Sequence, residues 1–218
     1  MWAIVPLKYF ADAKSRLAAV LSAQERQQLV RHMARDVIAA LKATTGLAGI
    51  LLVSREAEVA DMAREFNVEL FVEPAGVDLS RSVILASEYL VKEQAARGTL
   101  IVHADIPLAN PAAFNALLAA HHQFTLLPDD ERLGTNCIAA TPPNPIEYRY
   151  DGRSFEPHRQ AAQAAGIDCL VCEIPALGLD IDTPADLATL IQANAFGETA
   201  TYLETSGIAQ RLGKSYSD

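Results

Sequence analysis

The sequence is poor in the features that would tie it to a bilayer, a disulfide framework or a nucleic-acid surface. No apolar run approaches the roughly 20 residues needed to span a bilayer, which points to a soluble globular chain. Met1-Trp2-Ala3-Ile4-Val5 is too short, and Pro6 follows too soon, for a secretory signal. Cysteine is scarce, scattered and odd in number, 3 in all, so the expected compartment is the reducing cytoplasm. Basic residues are outnumbered: 18 Lys and Arg against 27 Asp and Glu leave a net charge of −9. A general nucleic-acid binder needs the opposite sign. A small phosphorylated ligand remains allowed, because a few cations and a metal neutralise it locally. Two glycine motifs are missing as well. Without Gly-x-x-x-x-Gly-Lys-Ser/Thr the chain is no P-loop protein, and without Gly-x-Gly-x-x-Gly a dinucleotide oxidoreductase is disfavoured. There is no Gly-x-Ser-x-Gly, no Ser/His/Asp ordering, no repeat and no linker that splits the chain.

What is present is an alternation of strand and helix. At 218 residues, half of them hydrophobic, the chain suits one sizeable domain. Short apolar runs at 2–5, 50–53, 69–72, 100–104, 124–127 and 169–174 read as strands. Between them lie helical spacings. Ser22 caps a long amphipathic helix over 23–43, with Leu29, Met33, Val37 and Leu41 on one face. Ser54 begins a helix over 57–66, the spacing recurs over 80–96, and Pro111 opens a helix to about His121. Continuous apolar strands alternating with helices predict a mostly parallel sheet covered on both faces. From 129 to 155 the pattern breaks. There 137–140 and 147–150 read as short antiparallel strands of a lid or hairpin, and Ser154 caps a helix to about 165. The tail from Gly197 is polar and weakly patterned, an arm against the body with disorder expected at 213–218. The domain layout expected is thus 1–196 with the lid insertion, then 197–218 as arm.

Ligands of open α/β sheets bind outside the carboxyl ends of the strands. Residues 7–17, Ser54, Asp105 and the pair Asp180/Asp182 all fall there. Leu177 to Asp182 reads as a strand running into a helix, so Asp180 and Asp182 share a face with Ile181 opposite. Thr183, Pro184 and Asp186 supply the cap, first turn and capping-box spacing of that helix. With Asp105 from another strand, three carboxylates can converge, a donor set suited to Mg²⁺; ordinary solvated loop acids are the plainer reading. Lys8, Lys14 and Arg16 lie in the first strand-to-helix loop, where they can meet phosphates or simply form a solvated cationic turn. Gly134-Thr135-Asn136 suits a small polar ligand or a turn. Asp151-Gly152-Arg153-Ser154 offers an anion backbone N–H groups and a hydroxyl, or only an N-cap. Cys169 and Cys172, three apart on a strand, face opposite sides and are expected in the core, and His158 is expected exposed on its helix.

Several of these segments together carry a family resemblance. They are Ile4-Val5-Pro6-Leu7-Lys8 with Ala13-Lys14-Ser15-Arg16-Leu17, Ala104-Asp105-Ile106-Pro107-Leu108, Gly134-Thr135-Asn136, Ser154-Phe155 with His158, and Leu179-Asp180-Ile181-Asp182-Thr183-Pro184. In this order they resemble the CofC/FbiD guanylyltransferases of coenzyme F-420 biosynthesis. The resemblance implies a Rossmann-like α/β sandwich of the nucleotide-diphospho-sugar transferase (GT-A-like) type. It also implies transfer of GMP from GTP to the phosphate of phospholactate, phosphoenolpyruvate or 3-phosphoglycerate, with release of pyrophosphate. Asp105, Asp180 and Asp182 would hold Mg²⁺, with Asp105, Lys14 and Arg16 as the catalytic set. Lys14 and Arg16, with Pro6 and Ser54, would bind the nucleotide. Lys8, Thr135, Asp151, Gly152 and Ser154 would serve the substrate. A homodimer and transfer of product to the next enzyme are open readings.

The chain departs from the family at Tyr150-Asp151-Gly152-Arg153-Ser154, where Phe-Gly-Pro-x-Ser is usual. An acid replaces the glycine that would approach the carboxylate, and Arg153 can offset it or itself bind a carboxylate. The 76–84 stretch lacks the family's Asn-rich wording near the nucleobase. Two alternatives stand beside the lead reading: another nucleotidyltransferase of this fold, with a different NTP or a sugar phosphate, and a non-catalytic nucleotide-binding homologue.

Overall fold

A computed structural model of the chain describes residues 1–8, 14–193 and 195–213. Its frame is a seven-stranded sheet formed by β1 (Trp2–Pro6), β2 (Gly49–Val53), β3 (Glu69–Phe71), β4 (Thr99–Val102), β5 (Phe124–Pro128), β6 (Thr135–Ala140) and β7 (Cys169–Val171). The spatial order is β3-β2-β1-β4-β6-β5-β7. β6 runs antiparallel to both neighbours, and the other pairings, such as β1 with β2 and with β4, are parallel. Eight of the helices are α1 (Ala23–Lys42), α2 (Ala57–Phe66), α3 (Leu79–Gln94), α4 (Pro111–Ala120), α5 (Phe155–Ala164), α6 (Pro175–Gly178), α7 (Pro184–Gln192) and α8 (Glu198–Thr205), with α9 (Ile208–Gly213) after them.

The period-two alternation of the strands sorts side chains into two cores. Ala3, Val5, Leu100 and Val102 join one layer with Leu29, Met33 and Val37 of α1. Ile4, Leu51, Ile101 and Ile138 join the other with Val83 and Leu90 of α3 and Phe155 and Ala162 of α5. Each face thus buries a helix stripe at 3.6-residue spacing, the usual solution for a sheet apolar on both sides. Ser22 caps α1, as the sequence indicated, and Glu25 completes a reciprocal capping box with it.

Four expectations are corrected. Residues 147–150 form no strand: Tyr148 and Ile146 sink into the second core as irregular chain. The antiparallel strand at 137–140 exists, as β6, but it lies inside the sheet and not over it. Residues 177–182 are not a strand either; α6 ends at Gly178 and the chain continues extended without a ladder. Cys169 and Cys172 pack on opposite layers, as expected, yet both are only partly buried because β7 is an edge strand.

The weakly patterned tail is ordered as α8 and α9, with Leu203, Ile208 and Leu212 in the first core. Asp36 of α1 accepts from the Glu198 and Thr199 N–H groups at 2.7 and 2.8 Å, so the first helix caps the eighth. Gly197 permits that approach: it has φ +112, and a Cβ there would lie 2.5 Å from the Asp36 carboxylate. Disorder was expected over 213–218; Gly213 instead closes α9, and 214–218 lie outside the described residues. Among the described residues no helix is long and apolar enough to cross a membrane.

Candidate active site

β4 ends at Val102, and the chain turns through His103 and Ala104 to Asp105. The Ile181 N–H donates to the Asp105 carbonyl at 3.0 Å, drawing the segment before α7 against this turn. Ile181 is fully buried, which leaves its neighbours Asp180 and Asp182 on the opposite side. The shared face expected of a strand is therefore achieved without one. Asn136 contributes from β6, its amide donating to the carbonyls of Leu177 and Gly178 at 3.0 and 2.8 Å. This amide, expected either to meet a small polar ligand or to belong to a turn, fixes the approach to Asp180 from inside β6.

α7 begins with the expected capping box. Asp186 Oδ2 accepts from the N–H groups of Asp182 and Thr183 at 3.0 and 2.7 Å, and from the Thr183 hydroxyl at 2.9 Å. Thr183 Oγ1 in turn accepts from the Asp186 N–H. The cap therefore also restrains Asp182. Asp186→Ala is expected to cost about 1–2 kcal/mol by loss of these bonds, read by urea unfolding. It should also weaken divalent-cation binding; unchanged affinity would separate the cap from the acids.

Lys14 reaches this face from the first loop, just before a 3-10 turn over Ser15–Ala19. Its backbone is left-handed, φ 57, uncommon for a residue with a Cβ. Its Nζ lies 2.5 Å from Asp105 Oδ2 and 2.6 Å from Asp182 Oδ1, and its side chain is only 9 % exposed. Burial works against the ammonium, but the two carboxylates hold it above its ordinary range. Asp105 is held below its usual range: burial opposes the charge and Lys14 overcomes it. Asp180 lacks such a partner. Burial first, then the charges of Asp105 and Asp182, push it up to about 7. Arg16 is 73 % exposed and 3.8 Å from Asp182, a loose pair that leaves it available to a ligand.

Carboxylate oxygens of Asp105, Asp180 and Asp182 lie within 4.8 Å of one another. One Lys against three acids leaves excess negative charge, and Asp105 Oδ1 is buried with no hydrogen-bond partner. An all-oxygen set with uncompensated charge and an orphaned acceptor fits a hard divalent cation.

The cluster stands between two clefts. One, of about 190 Å³, is lined by Pro6, Lys8, Lys14, Leu79, His103 and Asp105 among others. The second, of about 270 Å³, has Arg16, Gly152, Arg153, Leu133, Asp180 and Asp182 in its wall. Lys8 is tied to one side of the first cleft, pairing with Glu73 at 3.1 Å and donating to the Val77 carbonyl at 3.0 Å. Ser54 lines neither cleft. It is buried one strand away, its hydroxyl accepting from the Glu56 N–H, and α2 starts later with Glu56 at its cap.

Beside the second cleft, Ser154 does not cap α5 with its side chain. Its hydroxyl bonds Thr135 Oγ1 at 3.1 Å. Asp151 is exposed and accepts from the Arg153 N–H at 3.2 Å, an Asx-type local turn, and Gly152 follows the acid at φ +87. His158, expected exposed, is fully buried. The signal was present: Phe155, His158 and Ala162 are spaced three and four residues apart, a helical stripe, and all three are buried. The places of His103 in the first cleft and of Glu73 beside Lys8 carry no local signal, because each depends on a distant segment. Of the sequence-predicted residues, the structure gathers Lys14, Arg16, Asp105, Asp180 and Asp182 at one point. Pro6 and Lys8 line the first cleft and Gly152 the second, while Thr135 and Ser154 are buried, within two residues of Leu133 and Arg153 of its wall. Residues 9–13 of the first loop lie outside the described residues.

Solved structures share this architecture. A Desulfovibrio desulfuricans G20 protein, provisionally described as a nucleotide-diphospho-sugar transferase, superposes with a TM-score of 0.77 at 17% identity, covering 96% of each chain. A nucleotidyl transferase from a Methanothermobacter species gives 0.64 at 16% identity, covering 94% of this chain and 98% of its own. These establish the fold, the nucleotide-diphospho-sugar transferase type expected. Sequence relatives go further. The phosphoenolpyruvate guanylyltransferase of Rubrobacter xylanophilus is 36% identical, over 87% of this chain and 93% of its own length. The 2-phospho-L-lactate guanylyltransferase of Methanocaldococcus fervens is 30% identical, covering 95% and 92%. The 3-phospho-D-glycerate guanylyltransferase of Colwellia psychrerythraea is also 30% identical, covering 86% and 89%. The profile described as "Guanylyl transferase CofC like" matches residues 1–216, and the chain belongs to that family.

Proposed function

We propose that the chain transfers GMP from GTP to the phosphate of a small phospho-carboxylate, with Mg²⁺ held by Asp105, Asp180 and Asp182, in coenzyme F-420 biosynthesis. The observation that carries this reading is the three-carboxylate cluster with Lys14 among its acids, set between two clefts. A phosphate oxygen of the acid attacks the α-phosphorus of GTP. The bond from that phosphorus to the β-phosphate oxygen breaks, and pyrophosphate leaves with its electron pair. The nucleophile is already anionic, so no general base is needed. Positioning and charge neutralisation are what the protein must supply.

The residues divide that work. The first cleft, with Pro6 and Lys8 in its wall, receives the nucleotide, and Lys14 and Arg16 face its phosphates. Ser54, buried behind the β1 end, supports that wall without touching a ligand. The second cleft receives the phospho-acid near Gly152, with Thr135 and Ser154 behind it and Asp151 shaping the turn. A bound Mg²⁺ would supply Lewis-acid stabilisation of phosphoryl charge. We place the reaction in the cytoplasm, with neither nucleic acid nor membrane as partner, and a homodimer and hand-over of product to the following enzyme complete the proposal.

Pyrophosphate release, scored for four NTPs against phosphoenolpyruvate, 2-phospho-L-lactate and 3-phosphoglycerate with and without Mg²⁺, tests the whole. Release is expected only with GTP, Mg²⁺ and one of the acids together. Phosphoenolpyruvate is the first acid to try, since the relative named for it matches at 36% and those named for the others at 30%. No release with GTP across the three acids would sink the proposal.

A further inference from the structure

We infer that His158 is a positioning residue that fixes the direction of the Thr135 and Ser154 hydroxyls, so that this pair presents a proton to the carboxylate of the substrate. The inference rests on the phospho-carboxylate reading above and deepens it. His158 sits on α5 with no exposed surface. The Arg149 backbone N–H donates to its Nε2 at 2.9 Å, which makes Nε2 the lone-pair nitrogen. A neutral imidazole with its lone pair there carries its hydrogen on Nδ1. Burial, with His103 nearby, lowers the pKa to about 4, consistent with a neutral ring at neutral pH.

Nδ1–H therefore donates to Thr135 Oγ1, 3.2 Å away. The Thr135 and Ser154 oxygens are 3.1 Å apart and share one hydrogen bond. Two hydroxyls bring two protons. One is used between them, and the imidazole cannot take the other because its accepting nitrogen is occupied by Arg149. One hydroxyl proton is left to leave the triad. Ser154 follows Gly152 and Arg153, which line the second cleft, so the triad lies directly behind that wall. A triad fed with a proton at its inner end favours an acceptor-only group at its outer end. A carboxylate is such a group; an ammonium is not.

The tautomer is measured first, without substrate. Protein labelled with ¹⁵N-histidine should show, at pH 7, a His158 ring protonated at Nδ1 and bare at Nε2, assigned by loss of the signal in His158→Gln. A ring protonated at Nε2, or at both nitrogens, overturns the inference. Steady-state kinetics come second. His158→Gln loses the donor at the Nδ1 position, and KM for the phospho-acid should rise about tenfold, the effect of one lost hydrogen bond to a charged group. KM for GTP and kcat should stay within about twofold. His158→Asn keeps a donor near the Nδ1 position and should recover part of the loss. A parallel rise in both KM values, or none in that for the acid, overturns the positioning role. If the wild-type chain turns over none of the three acids while the tautomer is as stated, the functional reading has failed separately, and the carboxylate role of the triad falls with it.

Discussion

Asp180→Asn is expected to cut turnover by about two to three orders of magnitude and, in the same variant, to stabilise the metal-free protein. Asp180 is the unpaired member of the acid cluster, raised from 3.8 to about 7 by burial and by its two acidic neighbours. In the unfolded chain it ionises near pH 4. A raised carboxyl contributes fully below its unfolded pKa, and that contribution is lost as pH rises through the folded value. Wild-type protein in EDTA should thus lose stability between about pH 4 and 7, and above that range should carry the full cost of three adjacent carboxylates. The side chain is partly exposed, so solvent screening reduces the cost to about 1–2 kcal/mol. Asn removes the charge and keeps the shape. Thermal unfolding at pH 8 in EDTA should show the variant more stable, and at pH 4 the two should converge. Pyrophosphate release should meanwhile fall by about 10²–10³, the usual effect of removing one group that stabilises transferring charge. Stability given up for function is a familiar trade at active sites. Near-normal turnover in this variant would remove Asp180 from the metal site.

The second large effect is Lys14→Met. The ammonium bridges Asp105 and Asp182 from a side chain only 9 % exposed, so its loss leaves two carboxylates facing each other beside a third. Breaking a fully buried pair costs about 3–5 kcal/mol. Asp182 is 43 % exposed, which screens its share, and about 2–3 kcal/mol is the expected loss in EDTA by urea unfolding. A divalent cation should restore much of that stability, because it places positive charge among the same oxygens. It should not restore activity, since Lys14 is also assigned to the nucleotide phosphates. Stability that is unchanged in EDTA, or a loss that Mg²⁺ leaves untouched, would show that lysine and metal do not share these acids.

How much of this was legible depended on how local each cause was. The α1 stripe, its Ser22 cap and the Thr183/Asp186 box were readable because helix period and cap lie within a few residues. The placing of Asp180 and Asp182 on one side was readable too, though for a partly wrong reason: the alternation comes from Ile181 being buried and clamped to Asp105, not from a sheet ladder. Ser154 shows the limit. A serine before a helix is read as a cap, but Thr135, distant in sequence, offered its hydroxyl another partner. Tyr148 and Tyr150 have strand-forming side chains. They turn instead toward His158 and His103, edge-on to the first and Tyr150 tilted against the second, contacts set by segments distant in sequence. Lys8 in the first cleft's wall was legible, but its buried partner Glu73, far along the chain, was not.

The reversed strand β6 has a consequence for how such proteins can diversify. Parallel strands offer the cleft only their outgoing loops. β6 enters the sheet from the cleft edge, pairing Cys137 with Val102 and placing the His103 N–H on the Asn136 carbonyl at 3.0 Å. The incoming 129–134 loop therefore opens onto the same edge as the outgoing turn that carries Asp105. Length and wording can change in that incoming loop while the register behind it, and with it the acid cluster, stays fixed. The wall of the second cleft at Leu133 and the turn that carries Asp105 thus hang from the two strands of one rung, so the first can vary without moving the second.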